Sequence, residues 1–258
     1  MIKNRRWYMA VLRVLATTIN YLDRQTLSVA APVLKKEFNL SNEQYGLVTS
    51  AFLVAYGVMH PISGRLIDWL GTRAGLALSV IWWSLANIAH AFVGGFRSLQ
   101  VMRFLLGVGE AGNFPGAIKS ISEWFPAKER SVATGVMNLG AGMGAVIAPP
   151  LVGWLVWAYG WQAAFVATGA SGIIWIVAWL LLYRHPDDHP RLSPEELAYI
   201  KAGQEQRGPD IYCPQCSYDL RGLPKLVCPE CGTDSEHRRA QIAAAEPPAQ
   251  GLWKDVLS

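Results

Sequence analysis

Apolar and charged positions divide this chain into long uncharged runs separated by short charged ones. Between Glu43 and Arg65 lie 21 residues without a charge, and between Arg73 and Arg97 another 23. Each matches the roughly 20 apolar residues that a helix needs to cross about 30 Å of hydrocarbon, so each predicts a spanning helix. From Ser131 to Tyr183 there are 53 residues with no Asp, Glu, Lys or Arg, about twice one span. A turn-like break at Ala158-Tyr159-Gly160-Trp161-Gln162 makes that run a helical hairpin. Two further segments are apolar but interrupted: Trp7 to Ala31 contains Arg13, Asp23 and Arg24, and Ser98 to Ile121 contains Arg103 and Glu110. Spanning strands would alternate in and out over about 9 to 11 residues, whereas these runs are apolar on every side. The pattern predicts an all-α membrane protein with six transmembrane helices over residues 1–184.

Composition agrees, since 52% hydrophobic against 16% charged residues is too apolar for an ordinary soluble domain. Charge sharpens the division. Residues 1–183 carry 14 Lys and Arg against 7 Asp and Glu, and residues 184–258 carry 9 against 12. If six spans alternate sides, Lys3, Arg5, Arg6, Arg65, Arg73, Lys119, Lys128, Arg130 and Arg184 share one face, and only Lys35, Lys36 and Arg97 lie on the other. Basic loops stay cytoplasmic, which predicts a multi-pass inner-membrane protein with both termini in the cytoplasm. Arg13 inside the first apolar run argues against a cleaved signal peptide.

The polar tail carries different chemistry. Cys213-Pro214-Gln215-Cys216, eleven residues, then Cys228-Pro229-Glu230-Cys231-Gly232 makes two CPxC knuckles, and these hold all four cysteines of the chain. Four thiolates supply one closed tetrahedral Zn²⁺ site, which is structural because a catalytic zinc keeps a position open. Redox dithiols are the alternative reading, and a disulfide is disfavoured in a reducing cytosol. The expected organisation is a linker with a helix over 185–208, a small cytoplasmic zinc ribbon over 209–237, and a linker over 238–258. Ser193 and Pro194 read as N-cap and first residue of the helix.

Inside the membrane, polar residues fall into stripes. On the first span Arg13, Thr17, Asn20, Tyr21, Arg24 and Ser28 stand at spacings of 4, 3, 1, 3 and 4, which places them on one face. On the fourth, Arg103, Gly107 and Glu110 lie at i, i+4 and i+7, with Asn113 one turn beyond, and Pro115 frees the carbonyl of Ala111 and so can bend the helix there. A charge at the bilayer centre costs roughly 2.5 to 3.5 kcal/mol, so these residues face a cavity or a partner helix and mark a transport pathway; a static ion-pair network is the bland alternative, and Arg13 and Arg103 fit either. Gly140 and Gly144, at GxxxG spacing, read as a helix-packing site. Trp7, Trp69, Trp124, Trp157 and Trp161 near span ends read as an interfacial belt. His60 and His90 read as buried or cavity-lining rather than metal ligands.

The run Gly64-Arg65-Leu66-Ile67-Asp68-Trp69-Leu70-Gly71-Thr72-Arg73 resembles the major facilitator signature G-x-L-x-D-R-x-G-x-R, with Trp69 where that pattern has its first Arg. Asn20-Tyr21-Leu22-Asp23-Arg24 and Gly109-Glu110-Ala111-Gly112-Asn113-Phe114-Pro115 are similar to the anion:cation symporter branch, which holds hexuronate, aldonate and glucarate permeases. The resemblance implies a proton-coupled symporter of a small organic anion such as a sugar acid, and not an enzyme. It implies that Arg24, Tyr21, Tyr56 and Asn113 bind substrate and that Glu110 and Asp23 carry the coupling proton. Gly64, Asp68, Gly71 and Arg73, with Arg103 of a second signature, would form a conformational latch. An always-charged planar guanidinium suits a carboxylate ligand, and a carboxyl in a low-dielectric cavity can take a proton at one face and release it at the other.

The family has twelve spans in two halves with the substrate between them, and this chain predicts one half-bundle. Leu252 to Ser258 looks like the lead-in to a seventh span that is absent. Expected partners are therefore the bilayer, the organic anion and a missing C-terminal half or a second copy, with no nucleic acid. A membrane-anchored zinc-ribbon interaction module without transport activity is the alternative.

Overall fold

A computed structural model describes residues 4–204, 213, 215, 216 and 227–234. Among these residues eight α-helices follow in order: α1 (Arg5–Glu37), α2 (Asn42–Leu70), α3 (Thr72–Ala89), α4 (Phe96–Glu110), α5 (Asn113–Trp124), α6 (Ala127–Tyr159), α7 (Trp161–Leu182) and α8 (Pro194–Ala202). Residues Met1–Lys201 form one compact unit and Ala202–Ser258 a second.

Local chemistry sets the helix limits. α2 begins on a capping box in which the Gln44 N–H donates to Ser41 Oγ at 3.1 Å and the Ser41 N–H donates to Gln44 Oε1 at 3.0 Å. The turns between α2 and α3 and between α6 and α7 are single residues, Gly71 at φ 78° and Gly160 at φ 88°, a region that favours glycine. The second is the hairpin that the sequence predicts. The fourth predicted span is two helices, α4 and α5, parted at Ala111 and Gly112. Pro115 has no N–H to offer the Ala111 carbonyl, and that oxygen instead accepts from Ser63 Oγ at 3.0 Å.

Among the described residues four helical segments are long and apolar enough to cross a membrane: Asn42–Leu70, Thr72–Phe92, Ala127–Tyr159 and Trp161–Leu182. The expected six spans are thus not shown: α1 carries Arg13, Asp23 and Arg24 among its apolar residues, and the fourth expected span is divided into α4, 15 residues, and α5, 12 residues, each too short to cross a bilayer as one helix. The outer surface is as oily as the interior, with Leu53 65%, Val146 75% and Leu181 73% exposed.

Three helix pairs dominate the packing: α1 on α6, α2 on α4 and α3 on α7. The first pair is set by glycine. A Cβ added at Gly140 would sit 2.5 Å from Val14 O, and one at Gly144 would sit 2.6 Å from Thr18 O, so the GxxxG spacing admits the α1 backbone. The tryptophan belt is corrected in part. Trp69 and Trp157 are exposed, but Trp124 and Trp161 are buried. The Trp161 indole N–H donates to Glu37 Oε2 at 2.5 Å, a bond that holds the ring inward.

The first unit runs past residue 184 because α8 is tied to the start of α1. Glu196 is fully buried; its Oε1 accepts from the Arg6 N–H at 3.2 Å and from Arg6 Nη1 at 3.1 Å, and its Oε2 accepts from the Arg5 N–H at 3.2 Å. The carboxylate thus caps two of the four N–H groups that every helix start leaves without an internal partner.

Candidate transport site

The stripe on α1 meets α4 at a buried ion pair. Arg24 Nε and Nη2 donate to Glu110 Oε2 at 3.0 and 2.9 Å. Glu110 closes the last turn of α4 and is fully buried, while the Arg24 side chain stays 26% exposed. Three rings surround that guanidinium, with its carbon 5.0 Å from the Tyr21 centroid, 4.9 Å from Phe52 and 4.8 Å from Tyr56. Ring faces attract a cation without neutralising it, so the three rings hold Arg24 in place and leave Glu110 as its anionic partner. Arg103 braces the pair from behind, its Nη2 donating to the Arg24 carbonyl at 3.3 Å.

Asp23 points away from this pair, toward α3 and α7. Its Oδ1 accepts from Asn87 Nδ2 at 2.7 Å, and the same amide donates to Thr168 Oγ1 at 2.8 Å. The two carboxyl groups that the sequence groups together therefore sit in separate surroundings, one facing a guanidinium and the other an amide. In each, one oxygen, Glu110 Oε1 and Asp23 Oδ2, is buried without a hydrogen bond among the described residues. A buried oxygen of that kind can accept a further donor. Asn113 is buried at the start of α5 with both amide atoms likewise unpartnered.

Arg13, on the same stripe, belongs to another network. Its guanidinium lies 4.0 Å from the Trp179 ring centroid and 5.5 Å from that of Tyr183, whose hydroxyl donates to Glu123 Oε2 at 2.5 Å. The signature residues also separate. Asp68 Oδ1 accepts from Lys119 Nζ at 2.7 Å and Arg73 Nη2 donates to Leu180 O at 2.5 Å, which ties the α2–α3 turn to α5 and to the end of α7. Gly71 is the turn itself, and a Cβ on Gly64 would meet Pro115 Cβ at 3.8 Å, an ordinary contact.

Sequence reading misses Phe52, Asn87 and Thr168. Phe52 lies one turn before Tyr56 on α2, so helical spacing alone places both on one face. Asn87 had a signal too, being an amide inside a charge-free span. Thr168 had none.

In the second unit the four cysteine sulfurs all lie within 4.8 Å of one another, with Cys213 to Cys231 and Cys216 to Cys228 both at 3.4 Å. Zinc–thiolate bonds of about 2.3 Å in a tetrahedron place sulfurs roughly 3.8 Å apart, so the donor set fits one ion. The second knuckle is a tight turn in which the Gly232 N–H donates to Cys228 O at 2.8 Å, with Gly232 at φ 73°.

Residues 14–258 match the sequence profile of the Major Facilitator Superfamily. The chain belongs to the major facilitator superfamily. Within that superfamily it is 46% identical over 204 residues to the hexuronate transporter of Escherichia coli (strain K12), covering 79% of this chain and 47% of that protein. It is 43% identical over 204 residues to the galacturonate transporter of Dickeya chrysanthemi, covering 79% and 59%. The chain thus spans about half the length of the curated relatives it matches. Among solved structures, an inward-facing, unoccupied bacterial homolog of the human lysosomal transporter Spinster superposes with a TM-score of 0.64 at 27% identity, over 72% of this chain and 44% of that one. The proton:xylose symporter bound to 6-bromo-6-deoxy-D-glucose superposes with the same TM-score of 0.64 at 13% identity, over 78% and 50%, and shares the fold. Major facilitator proteins are transporters and not enzymes, and the hexuronate and galacturonate transporters among these relatives are named for small organic anions.

Proposed function

We propose that the chain is the N-terminal half of a proton-coupled symporter of a hexuronate or related sugar acid, with six spans and both termini in the cytoplasm. The observation that carries the reading is the Arg24–Glu110 pair, buried on one side, open on the other and ringed by Tyr21, Phe52 and Tyr56. A substrate carboxylate and Glu110 compete for one guanidinium. Protonation of Glu110 weakens its hold on Arg24, which then takes the anion; loss of that proton returns Arg24 to Glu110 and releases the anion. Tyr21, Tyr56 and Asn113 would meet substrate hydroxyls, and Asp23 would take the second proton. Gly64, Asp68, Gly71, Arg73 and Arg103 would form the latch that resets between states. In the second unit the four cysteines would hold one structural Zn²⁺. A mere anchor for that unit gives no account of charges buried between α1, α3 and α4.

Joining the chain to the C-terminal half of a hexuronate transporter and measuring labelled galacturonate uptake into proteoliposomes tests the reading. Saturable uptake that collapses with the pH gradient supports it. Uptake indifferent to the gradient removes the coupling role, and no uptake of any sugar acid removes the substrate class.

A further inference from the structure

Away from the transport site, a groove of about 800 Å³ opens between the start of α1 and the end of α7. Its two walls differ in chemistry. Arg5, Arg184 and Arg191 line one end, Val11, Leu181 and Leu182 line the other, and no Asp or Glu lines either. Among the described residues none of these three guanidinium groups enters an ion pair. Glu196 is close to Arg5 but spends its oxygens on Arg6 and on the Arg5 backbone N–H, so it leaves the Arg5 charge unmatched. Arg5 Nε is buried without a hydrogen bond. That the cations converge is seen at His189 beside them, whose pKa is lowered by burial first and then by Arg5, Arg184 and Arg191.

The apolar end lies where a bilayer would be. Val11 is 55% exposed, Leu181 73% and Leu182 50%. From Arg5 to Val11 a helix advances about 9 Å, the distance from a headgroup into the first carbons of the acyl chains. An amphipathic groove with three guanidinium groups that enter no ion pair among the described residues, about 9 Å from an exposed apolar end, matches an anion that carries its own hydrocarbon.

We infer that this groove binds one anionic phospholipid of the cytoplasmic leaflet, its phosphate held by Arg5, Arg184 and Arg191 and its acyl chain laid along Val11, Leu181 and Leu182. Guanidinium groups bind phosphate oxygens in pairs, and basic pockets between membrane helices select anionic headgroups. A zwitterionic lipid brings its own ammonium, which three cations repel. This site requires α1 and α7 to lie in the bilayer with their charged ends in the cytoplasm, and it is independent of any transport activity.

The test uses the purified 258-residue chain in detergent, titrated with phosphatidylglycerol or phosphatidylcholine and read by native mass spectrometry. One retained phosphatidylglycerol per chain is expected, favoured over phosphatidylcholine by tenfold or more. The double variant Arg184→Gln/Arg191→Gln, at exposed positions outside the helices, should lose about tenfold of that preference. Arg65→Gln/Lys128→Gln, which removes the same charge elsewhere on that face, should keep it. Equal losses in the two variants, or equal retention of the two lipids by the parent chain, would overturn the site. Displacement of the lipid by millimolar inorganic phosphate would overturn it in favour of a free-phosphate site.

Discussion

Arg24 turns two of its nitrogens, Nε and Nη2, onto a single oxygen of Glu110, leaving Glu110 Oε1 without a hydrogen bond among the described residues. A side-on bidentate pair would occupy both oxygens and lock the salt bridge. This lopsided pair keeps the carboxylate charge matched while leaving one oxygen open to a further donor, and the proposed coupling proton would go there. The cost of breaking it depends on what replaces Glu110, since a buried guanidinium left alone costs about 3 to 5 kcal/mol. A substrate carboxylate is a replacement of the right charge.

Glu110→Gln mimics the protonated state permanently. In a complete transporter built on this half, it should abolish accumulation driven by a pH gradient while exchange of internal for external substrate persists in part. Counterflow and net uptake measured on the same vesicles separate the two. Net accumulation at the parental level would refute a coupling role for Glu110.

Arg24→Lys retains the charge, and the three rings around it can still attract an ammonium. What it loses is the second directed donor. Anion affinity should fall by about 1.5 to 3 kcal/mol, the size of a hydrogen bond to a charged group, when measured by substrate protection or isothermal titration. Unchanged affinity would make Arg24 a structural partner of Glu110.

The reach of sequence reading here follows from what periodicity records. Helical spacing alone groups Arg13, Tyr21 and Arg24 on one face of α1, and the missing N–H of Pro115 places the break between α4 and α5. Helical spacing sets Asp23 about 100° from Arg24 and so off the stripe; periodicity records faces, not azimuths between helices, so it could not name Asn87 as the partner of Asp23 or Glu110 as that of Arg24. Nor could it show that Arg13 joins Trp179 rather than the site. Thr168 was illegible because one hydroxyl in an apolar helix resembles any other. Glu196 was hidden for a related reason: its partners are backbone N–H groups about 190 residues away.

The Glu196 clasp makes a stability prediction. Glu196→Ala leaves the Arg6 guanidinium with Glu129 alone and strands two N–H groups at the start of α1. The Arg6 charge keeps Glu129, so the loss should be about 1 to 3 kcal/mol, the cost of N–H groups left without an acceptor, seen as earlier thermal unfolding of the chain in detergent. Glu196→Gln keeps an acceptor for those N–H groups and should lose less. Equal melting of the alanine variant and the parent would mean that α8 does not hold α1.

Metal analysis addresses the cysteines. The reduced chain should carry one Zn²⁺, and Cys216→Ser should lower zinc affinity sharply because three thiolates and a hydroxyl no longer complete the site. Two ions per chain, or none after purification without chelator, would refute a shared four-thiolate site.

The 258-residue polypeptide by itself should not accumulate sugar acids. Alternating access in this superfamily rocks one bundle against another around a site between them, and the Arg24 side chain is 26% exposed rather than enclosed by this bundle alone. The α6 groove of Gly135, Leu139, Gly142, Met143 and Val146 is apolar and uncovered, a face suited to another helix. Two copies meeting there would bring two Arg24–Glu110 pairs together, whereas the match to the hexuronate transporter of Escherichia coli covers only 47% of that protein. Proteoliposomes holding only this chain, given a pH gradient and labelled galacturonate, should match protein-free vesicles. Saturable, gradient-dependent uptake would instead establish a transporter assembled from identical halves, and cross-linking through Leu139→Cys would then be the route to its interface.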